Sequence, residues 1–341
     1  MALIDVQHLG IALQTHRGPA RAVRDISFQI ERGQALGLIG ESGCGKSITA
    51  MALMGLLPES AQVSGSATLD GQSLVQQPDS WWRGVRGNRI AMIFQEPMTA
   101  LNPVHTIGRQ ISEPLRLHKG WSARQAREEA IALLDRVGIA QPAQRFDAYP
   151  HQFSGGQRQR ITIAMALACG PDLLIADEPT TALDVTIQQQ ILDLINGLVE
   201  ERQMALLLIS HDLGVISQNV DKMVVMYGGT VVESGSTEAV FEHMAHPYTR
   251  GLLAARPSMQ PRIQGQPQRL HTIAGSVPEL ADLPAGCTFA GRCSFTQPPC
   301  FVQKPPQVAL PSTHPQEAHQ VHCLRPEAYA IATPTPDETP A

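Results

Sequence analysis

The eight residues at positions 40–47, GESGCGKS, constrain the fold of this chain more than any other feature. They match the pattern G-x-x-x-x-G-K-S, whose glycines let the backbone turn tightly so that successive N–H groups point at one anion. Residues 35–39 before the pattern suit a buried strand, and the apolar residues 48–57 after it suit a helix that Pro58 stops. Strand, glycine loop and helix in this order predict a nucleoside triphosphate site within an α/β fold.

Each part of this loop has an expected role. The loop N–H groups and the N-terminus of the following helix, which carries roughly half a positive charge, are expected to bind the phosphates. Lys46 is expected to reach the β- and γ-phosphates, and the Ser47 hydroxyl to ligate Mg²⁺. The predicted nucleotide-binding residues of the loop are Gly40, Glu41, Ser42, Gly43, Cys44, Gly45, Lys46 and Ser47.

A second acidic element completes the expected site. Residues 173–178, LLIADE, read as an apolar strand that ends in two acids. In parallel sheets ligands bind at the carboxyl ends of the strands, where these acids would lie. We expect Asp177 to hold Mg²⁺, directly or through water, and Glu178 to polarise the attacking water.

Length and composition limit the class of protein. A chain of 341 residues with 43% hydrophobic content allows about two domains, or one large domain with an appendage. The formal net charge of −5 argues against a dedicated nucleic-acid surface. Residues 1–13 carry no basic residue, so no signal peptide is expected, and no uncharged apolar run approaches the roughly 18 residues of a membrane span. These features predict a soluble, cytoplasmic protein.

The pattern along the chain predicts a mostly parallel sheet covered by helices on both faces. Apolar stretches read as strands at 2–8, 26–30, 35–39, 66–69, 89–94, 173–176, 205–209, 223–226 and 231–232. Residues 98 to about 165 read as a mostly helical insert, in which Ser122 and Gln125 form a capping box and Gly138 stops the helix. Asp184 is expected to cap a later helix with its side chain.

Three segments are predicted from the change in composition near position 257. Residues 1–256 form a nucleotide-binding domain, and residues 257–331 a small module of little regular periodicity that contains four cysteines. Residues 332–341 are rich in proline and threonine and are expected to be a disordered tail.

A second anion-binding loop is predicted at residues 153–160, FSGGQRQR. A serine-glycine loop there opens a helix, and its N–H groups with the helix N-terminus make it an anion site. One chain with two phosphate-type loops suggests that the second serves the nucleotide of another chain. Its predicted contacts are Ser154, Gly155, Gly156 and Gln157.

This loop resembles the signature motif of ATP-binding-cassette ATPases, and the family's other motifs follow in order over about residues 1–255. Gln95 in IFQEP matches the Q-loop, Asp184 in ALD matches the D-loop, and His211 in ISHD matches the switch histidine. The resemblance implies an α/β P-loop NTPase core with a mostly parallel sheet, an antiparallel β edge subdomain, a helical signature subdomain and a small irregular C-terminal module.

The same resemblance implies a head-to-tail pair of ATPase subunits with two ATP molecules between them. Each site would combine the phosphate loop and catalytic residues of one chain with the signature loop and Asp184 of its partner. The resemblance gives Glu178, His211 and Gln95 catalytic roles, and makes Ser47, Gln95 and Asp177 the Mg²⁺ ligands. In one departure from the family, residues 14–18, QTHRG, lack the usual aromatic partner for adenine, so His16 or Arg17 would have to stack on the base with Val23 packing nearby.

Three segments resemble dipeptide and oligopeptide importer ATPases. They are FQEPMTALNP at 94–103, HPYTRGLL at 246–253 and the cysteine-containing tail. The resemblance implies a bacterial import subunit at the cytoplasmic face of the inner membrane, bound to two permeases and served by a substrate-binding protein. It would pair with a second ATPase subunit, which is expected to be a related chain rather than a copy. Relatives of this kind also carry nickel complexes, glutathione or sugars, so the cargo stays open. Residues 98–104 are expected either to contact a permease or to form a proline-limited surface loop.

The late cysteines predict a metal site whose metal the spacing leaves open. They are Cys287, Cys293, Cys300 and Cys323, separated by five, six and twenty-two residues. This is not the paired C-x₂-C of a zinc ribbon, and soft thiolates suit zinc or an iron–sulfur cluster. Resemblance to peptide-importer subunits favours a 4Fe–4S cluster, while His322 beside Cys323 keeps zinc open. Cys44 and Cys169 are expected to be packing or loop residues.

Two other classes of function are weaker alternatives. A non-transport cassette ATPase that acts on DNA or ribosomes is disfavoured by the acidic charge, by the single cassette and by the short gap of about one hundred residues between the two glycine loops. A nucleotide sensor without turnover is disfavoured by Glu178, which supplies the general base that hydrolysis needs.

Overall fold

A mixed sheet forms the centre of the computed structural model, which describes residues 2–95, 100–181, 183–255, 272–310 and 319–325. Its strands are β1 (Ile4–Thr15), β2 (Gly18–Ile30), β3 (Ala35–Ile39), β4 (Gln62–Leu69), β5 (Gln72–Ser73), β6 (Ile90–Ile93), β7 (Leu173–Asp177), β8 (Ala205–Ser210), β9 (Lys222–Tyr227), β10 (Thr230–Ser236), β11 (Gln307–Leu310) and β12 (His319–His322). Their spatial order is β5-β4-β1-β2-β10-β9-β3-β8-β7-β6, and β12 also pairs with β10 and β11.

The parallel half of this sheet positions the nucleotide loops. Strands β9, β3, β8, β7 and β6 are parallel neighbours, with Ile39 opposite Ser210 and Asp177 opposite Ile209. The carboxyl ends of these strands therefore lie along one edge. The loops that carry the phosphate-loop glycines, Gln95, Glu178 and His211 all begin at this edge, as expected for ligand binding in such sheets.

The antiparallel half contains strands β1, β2, β4 and β5, and it confirms the predicted edge subdomain. Strands β1 and β2 extend well beyond the predicted stretches 2–8 and 26–30, because they continue as one hairpin that closes where Thr15 faces Gly18. One face of such a hairpin is exposed to solvent and accepts polar side chains, so hydrophobic content alone underestimates its length.

Helices cover both faces of the sheet. They are α1 (Lys46–Leu53), α2 (Asp79–Val85), α3 (Ile107–Lys119), α4 (Ala123–Arg136), α5 (Pro142–Arg145), α6 (Gly155–Leu167), α7 (Val185–Arg202), α8 (Leu213–Asn219), α9 (Thr237–Glu242), α10 (Pro247–Ala254) and α11 (Pro298–Val302), with a short 3₁₀ turn at Pro150–Gln152. Helices α3 to α6 form the predicted insert. The capping box of Ser122 and Gln125 opens α4 as predicted, and Gly138 follows its end at φ 77°.

The apolar residues of the parallel strands alternate between two cores. Leu174 and Ala176 face the cluster that contains the buried residues of α3, α4, α6 and α7. Leu173 and Ile175 face the second cluster, with residues of α1 and the antiparallel strands. Because both faces of each strand are buried, these strands read as continuous apolar runs in the sequence.

The C-terminal region adds a strand to the sheet. Strand β12 pairs antiparallel with β10, where Glu233 lies opposite Val321. The Glu233 carboxylate is fully buried and accepts hydrogen bonds from the backbone N–H groups of Ala245 (2.7 Å) and His246 (2.9 Å). Its third partner is Nε2 of His319, at 2.8 Å. Charge-assisted bonds of this kind are strong where water is excluded, so Glu233 holds β12 to the core.

Helix α11 and strands β11 and β12 were not predicted, because a proline-rich sequence of short elements shows little periodicity. The tail predicted at 332–341 lies outside the described residues. None of the helices that the structure describes combines the length and apolarity needed to cross a bilayer.

Candidate nucleotide site

Three glycines give the phosphate loop a backbone that other residues rarely adopt. Gly40, Gly43 and Gly45 have φ values of 154°, 81° and 101°. A Cβ at Gly40 would lie 2.2 Å from the carbonyl oxygen of Met226, and one at Gly45 would lie 2.7 Å from that of Ala22. Neither position has space for a side chain, so the close approach of β2 and β9 requires these glycines.

Lys46 lies at the centre of this loop, and its side chain is almost fully buried. Its Nζ donates to the carbonyl oxygens of Gly40 (2.7 Å) and Glu41 (3.1 Å). A third acceptor is the Cys44 sulfur, at 3.8 Å. A buried ammonium is costly without an anionic partner, and none of these three acceptors is a carboxylate or phosphate. The loop therefore holds a cation in place where the phosphates are predicted to bind, and those phosphates would supply the missing charge.

Ser47 and Asp177 form the predicted Mg²⁺ position. Asp177 is buried, and its Oδ1 has no hydrogen-bond partner among the described residues. Burial raises the pKa of Asp177, opposed by the Ser47 hydroxyl and reinforced by the neighbouring Glu178 charge. A cation satisfies such an orphan oxygen and favours the ionised acid, so these two residues fit Mg²⁺.

The three predicted catalytic residues meet at the Glu178 carboxylate. Gln95 donates its Nε2 to Oε2 of Glu178 at 3.1 Å, and His211 places Nδ1 3.2 Å from Oε1. Thr181, which was not predicted, donates its hydroxyl to Oε2 at 3.0 Å. These contacts hold the carboxylate at the edge of the sheet, beside Asp177.

The backbone at Glu178 is unusual for a residue with a side chain. Its φ is 47°, in the left-handed region, while its N–H donates to the carbonyl oxygen of Ile209 at 2.9 Å. Strained backbones of this kind persist where the surroundings impose them and are common at functional sites. The turn directs the acid away from β7 toward Gln95 and His211, although no local sequence pattern predicts it.

The second glycine loop is presented at the surface. Ser154 caps α6 with a capping box: its Oγ accepts from the Gln157 N–H at 3.3 Å, and its own N–H donates to Gln157 Oε1 at 3.1 Å. Ser154 and Gly155 are exposed, whereas Gly156 is buried and its Cβ position lies 3.1 Å from Ile187. These hydrogen bonds are local to the loop, which leaves its outer face open, as a role toward another chain would require.

Other predicted motif residues have mixed outcomes. Asp184 is exposed and occupies the N-cap position of α7, as predicted, but its side chain makes no capping bond; its backbone carbonyl accepts from the Gln188 N–H at 2.8 Å. The hydrogen bond from Gln95 to Glu178 does not test whether Gln95 also binds Mg²⁺, so that role stays a prediction. Ala182 and residues 96–99 of the predicted loops lie outside the described residues.

The turn predicted to receive the adenine is connected to the C-terminal region. The guanidinium of Arg17 donates to Glu279 and twice to Asp282, each at 2.8 Å. His16 is exposed, and Val23 is buried against the phosphate loop, 3.1 Å from the Cβ position of Gly45. Val23 therefore packs where predicted, while the proposed stacking of His16 or Arg17 stays a prediction.

Two further residues contact the phosphate loop and were missed. Tyr248 and Arg292 bind the backbone and the carboxylate of Glu41, respectively. Tyr248 lies in the segment HPYTRGLL and Arg292 directly precedes Cys293, so both were within stretches already singled out by resemblance. Their distance along the chain from Glu41 hid the contact.

The four late cysteines come together in the C-terminal region. Burial, together with the neighbouring thiols Cys323, Cys293 and Cys300, raises the pKa of Cys287 to about 12. Backbone N–H groups of Phe295 and Arg325 donate to the sulfurs of Cys293 and Cys323, both at 3.4 Å. Cys44 and Cys169 are buried, as expected of packing residues.

Clustered thiols with N–H···S bonds fit a soft metal or an iron–sulfur group. However, no set of three or more histidine, cysteine or acidic side chains in the described parts of the chain is arranged to hold a metal ion. The donor chemistry therefore fits such a group, whereas the arrangement does not by itself form a closed single-metal site.

Two known protein families match separate parts of this chain. The family described as "ABC transporter" matches residues 23–181, and the family described as "Oligopeptide/dipeptide transporter, C-terminal region" matches residues 232–300. A "Putative peptide import ATP-binding protein" of Brucella abortus (strain 2308) is 46% identical over 332 residues, which cover 95% of this chain and 97% of that protein. The "Oligopeptide transport ATP-binding protein OppD" of Haemophilus influenzae is 48% identical over 300 residues, covering 88% and 92%.

Solved structures agree on the architecture of the core. A dimeric ATP-binding cassette in a post-hydrolysis state, bound to ADP and Pi, matches with a TM-score of 0.61 and 24% identity over 69% of this chain and 98% of that one. The protein cbiO1 of Clostridium perfringens, part of an ABC transporter complex, matches with a TM-score of 0.60 and 25% identity over 71% and 92%. The predicted α/β cassette fold is confirmed.

Proposed function

Because this chain belongs to the ATP-binding subunits of ABC transporters, we propose that it powers the import of dipeptides or oligopeptides by hydrolysing ATP. The observation that carries the proposal is the Glu178 carboxylate, held by Gln95, Thr181 and His211 next to the phosphate loop. The C-terminal region supports the assignment of peptides as the cargo, because residues 232–300 match the C-terminal region of oligopeptide/dipeptide transporters.

In the proposed mechanism, Lys46 exchanges its bonds to loop carbonyls for bonds to the phosphates of ATP. Ser47 and Asp177, with Gln95, would hold Mg²⁺, which would supply positive charge to neutralise the phosphate oxygens. Glu178 accepts a proton from the attacking water, and Gln95 and His211 keep its carboxylate in position. His211 is 64% exposed on its side chain, so it is free to meet a γ-phosphate that arrives with ATP.

The site is proposed to be completed by a second ATPase subunit. Residues 154–157 would offer the N–H groups of the α6 N-terminus to the γ-phosphate of the partner's nucleotide. Their exposure in this chain supports that role. We propose a related chain as the partner, and Asp184, exposed beside the signature loop, as a further contact with it.

An importer also needs membrane permeases and a substrate-binding protein as partners of the ATPase subunit. The chain would bind two membrane permeases at the cytoplasmic face of the inner membrane, and a substrate-binding protein would deliver the cargo. The exposed Val104, 72% accessible, supports residues 100–104 as part of a permease contact.

Reconstitution tests the proposed cargo. The chain, its partner ATPase and two permeases in lipid vesicles should hydrolyse ATP faster when a peptide-loaded binding protein is added, and labelled peptide should accumulate in the vesicles. Stimulation by a nickel complex, glutathione or a sugar, with none by peptides, would reassign the cargo. Stimulation by DNA or ribosomes instead would contradict import.

We also propose a 4Fe–4S cluster on Cys287, Cys293, Cys300 and Cys323, supported by the clustered thiols and their N–H···S bonds. Protein purified without oxygen should contain about four irons and show visible charge-transfer absorbance. Cys293→Ser should lose both, whereas Cys169→Ser, a buried thiol elsewhere, should retain them. Stoichiometric zinc without iron would contradict the cluster and favour the reading in which His322 takes part.

A further inference from the structure

Arg292 joins the cysteine-containing region to the phosphate loop. Its Nη1 and Nη2 donate to the two carboxylate oxygens of Glu41, at 2.7 and 3.3 Å. This two-pronged geometry is the strongest arrangement for an arginine and a carboxylate. The Arg292 side chain is only 7% exposed and that of Glu41 27%, so the guanidinium is shielded from water and the carboxylate partly so.

Every N–H of this guanidinium has an acceptor. Besides Glu41, the acceptors are the Tyr227 hydroxyl at 3.1 Å, the Ala274 carbonyl at 2.9 Å and the Gly275 carbonyl at 3.3 Å. A guanidinium has five donors in a fixed plane, and here all five are used. Such a group has one orientation, so it fixes the position of the carboxylate that it binds.

The backbone of Glu41 is held independently from the same side. Its N–H donates to the Tyr248 hydroxyl at 2.7 Å. The Tyr248 ring packs edge-on against Tyr227, with ring centroids 4.8 Å apart, and Tyr227 packs against Phe289 at 5.0 Å. A rigid aromatic cluster thus supports both groups that hold Glu41, and one of its rings comes from the C-terminal region.

These contacts matter when the nucleotide binds. In the present structure Lys46 also holds this part of the loop, through the carbonyls of Gly40 and Glu41. Once Lys46 turns to the phosphates, Arg292 and Tyr248 still hold the carboxylate and the backbone N–H of Glu41. Arg292 also neutralises the Glu41 carboxylate, which would otherwise repel phosphate oxygens arriving at the same loop.

We propose that Arg292 is a positioning residue for ATP binding, through which the C-terminal region preorganises the phosphate loop. Sequence motifs assign the phosphate site to residues 40–47 alone, whereas this contact comes from 251 residues further along the chain. The inference needs only that this chain binds ATP, and it holds whatever cargo the transporter carries.

Calorimetric titration of the full chain with Mg²⁺-ATP tests the proposal. Arg292→Ala should raise Kd about ten-fold, the size of coupling expected between paired charges. In a Glu41→Gln background the same substitution should change Kd less than about two-fold, because the carboxylate that it leaves unpaired is then absent. Lys304→Ala, an exposed cation of the same region, is the matched control and should bind ATP as the wild type does.

Two further measurements separate positioning from folding. In the assembled transporter Arg292→Ala should raise KM for ATP and leave kcat at saturating ATP nearly unchanged. If Arg292→Ala does not fold, Arg292→Lys carries the test, since it keeps the charge but loses the second prong, and Kd should rise about three-fold. Wild-type affinity in a folded Arg292 variant overturns the proposal, as does an equal loss of affinity with and without the Glu41 carboxylate.

Discussion

Glu178→Gln is expected to lower ATP turnover by the assembled transporter at least about 100-fold while ATP binding stays intact. The amide has nearly the shape of the carboxylate but cannot accept a proton from water. The neighbouring Gln95 and Thr181 can still reach the amide oxygen, so the local structure should persist. Phosphate release measures turnover, and calorimetric titration measures binding.

A matched control is available on a nearby helix. Asp193→Asn makes the same change, acid to amide, on the exposed face of α7, and turnover should remain at the wild-type rate. If Glu178→Gln turns over as fast as the wild type, Glu178 is not the general base. If ATP binding is also lost, the substitution has damaged the site rather than the chemical step.

Gly155→Asp should reduce turnover about as strongly, by a different mechanism. Among the residues that the structure describes, only Leu183 lies within 4.0 Å of the Cβ position at Gly155, which leaves space for the side chain. The substitution places a negative charge at the N-terminus of α6, where the partner's γ-phosphate is proposed to bind. Repulsion and loss of the oxyanion contact should lower hydrolysis of that nucleotide about 100-fold.

Gly155→Asp should lose turnover without losing stability. An acid in the first turn of a helix is favourable, typically by about 0.3–1 kcal/mol, so Gly155→Asp should unfold at the wild-type temperature or slightly above it. Gly155→Ala should retain most of the turnover. The affinity of each variant for the ATP bound to its own phosphate loop should be the same, because residue 155 is proposed to contact the partner's nucleotide. In the Glu178→Gln background, ATP-dependent pairing with the partner should disappear with aspartate and survive with alanine. Equal turnover of the two variants would argue against a role in trans.

Local patterns predicted the nucleotide edge well, and for a physical reason. The phosphate loop is continuous in sequence, and the ends of parallel strands meet at one edge, so the loop and Glu178 were expected there from the strand pattern. Gln95 and His211 were assigned by their resemblance to the motifs of ATP-binding-cassette ATPases. Thr181 and the strained turn at Glu178 did not follow, because the approach of β8 imposes them. Asp184 lies at the predicted N-cap but makes no side-chain bond, because the residue type favours such a bond without requiring it.

The C-terminal contacts were beyond sequence reasoning because they connect distant residues. Arg17 and Asp282 are 265 positions apart, and Arg292 and Glu41 are 251 apart. Charge pairs at such separations have no periodic signal, and many acids compete for each arginine. The cysteine spacing indicated a site in this region, but only the fold shows that the region also contacts the phosphate loop and the turn predicted to receive the adenine.

The Glu233–His319 contact also has a consequence for synthesis on the ribosome. The carboxylate of Glu233 is made 86 residues before its imidazole partner, and the edge of β10 waits equally long for β12. An open strand edge beside a buried acid is prone to mispairing and aggregation. Nascent chains of this protein must therefore remain incompletely folded until the last few dozen residues emerge, and premature termination before His319 would yield a product that chaperones and proteases recognise.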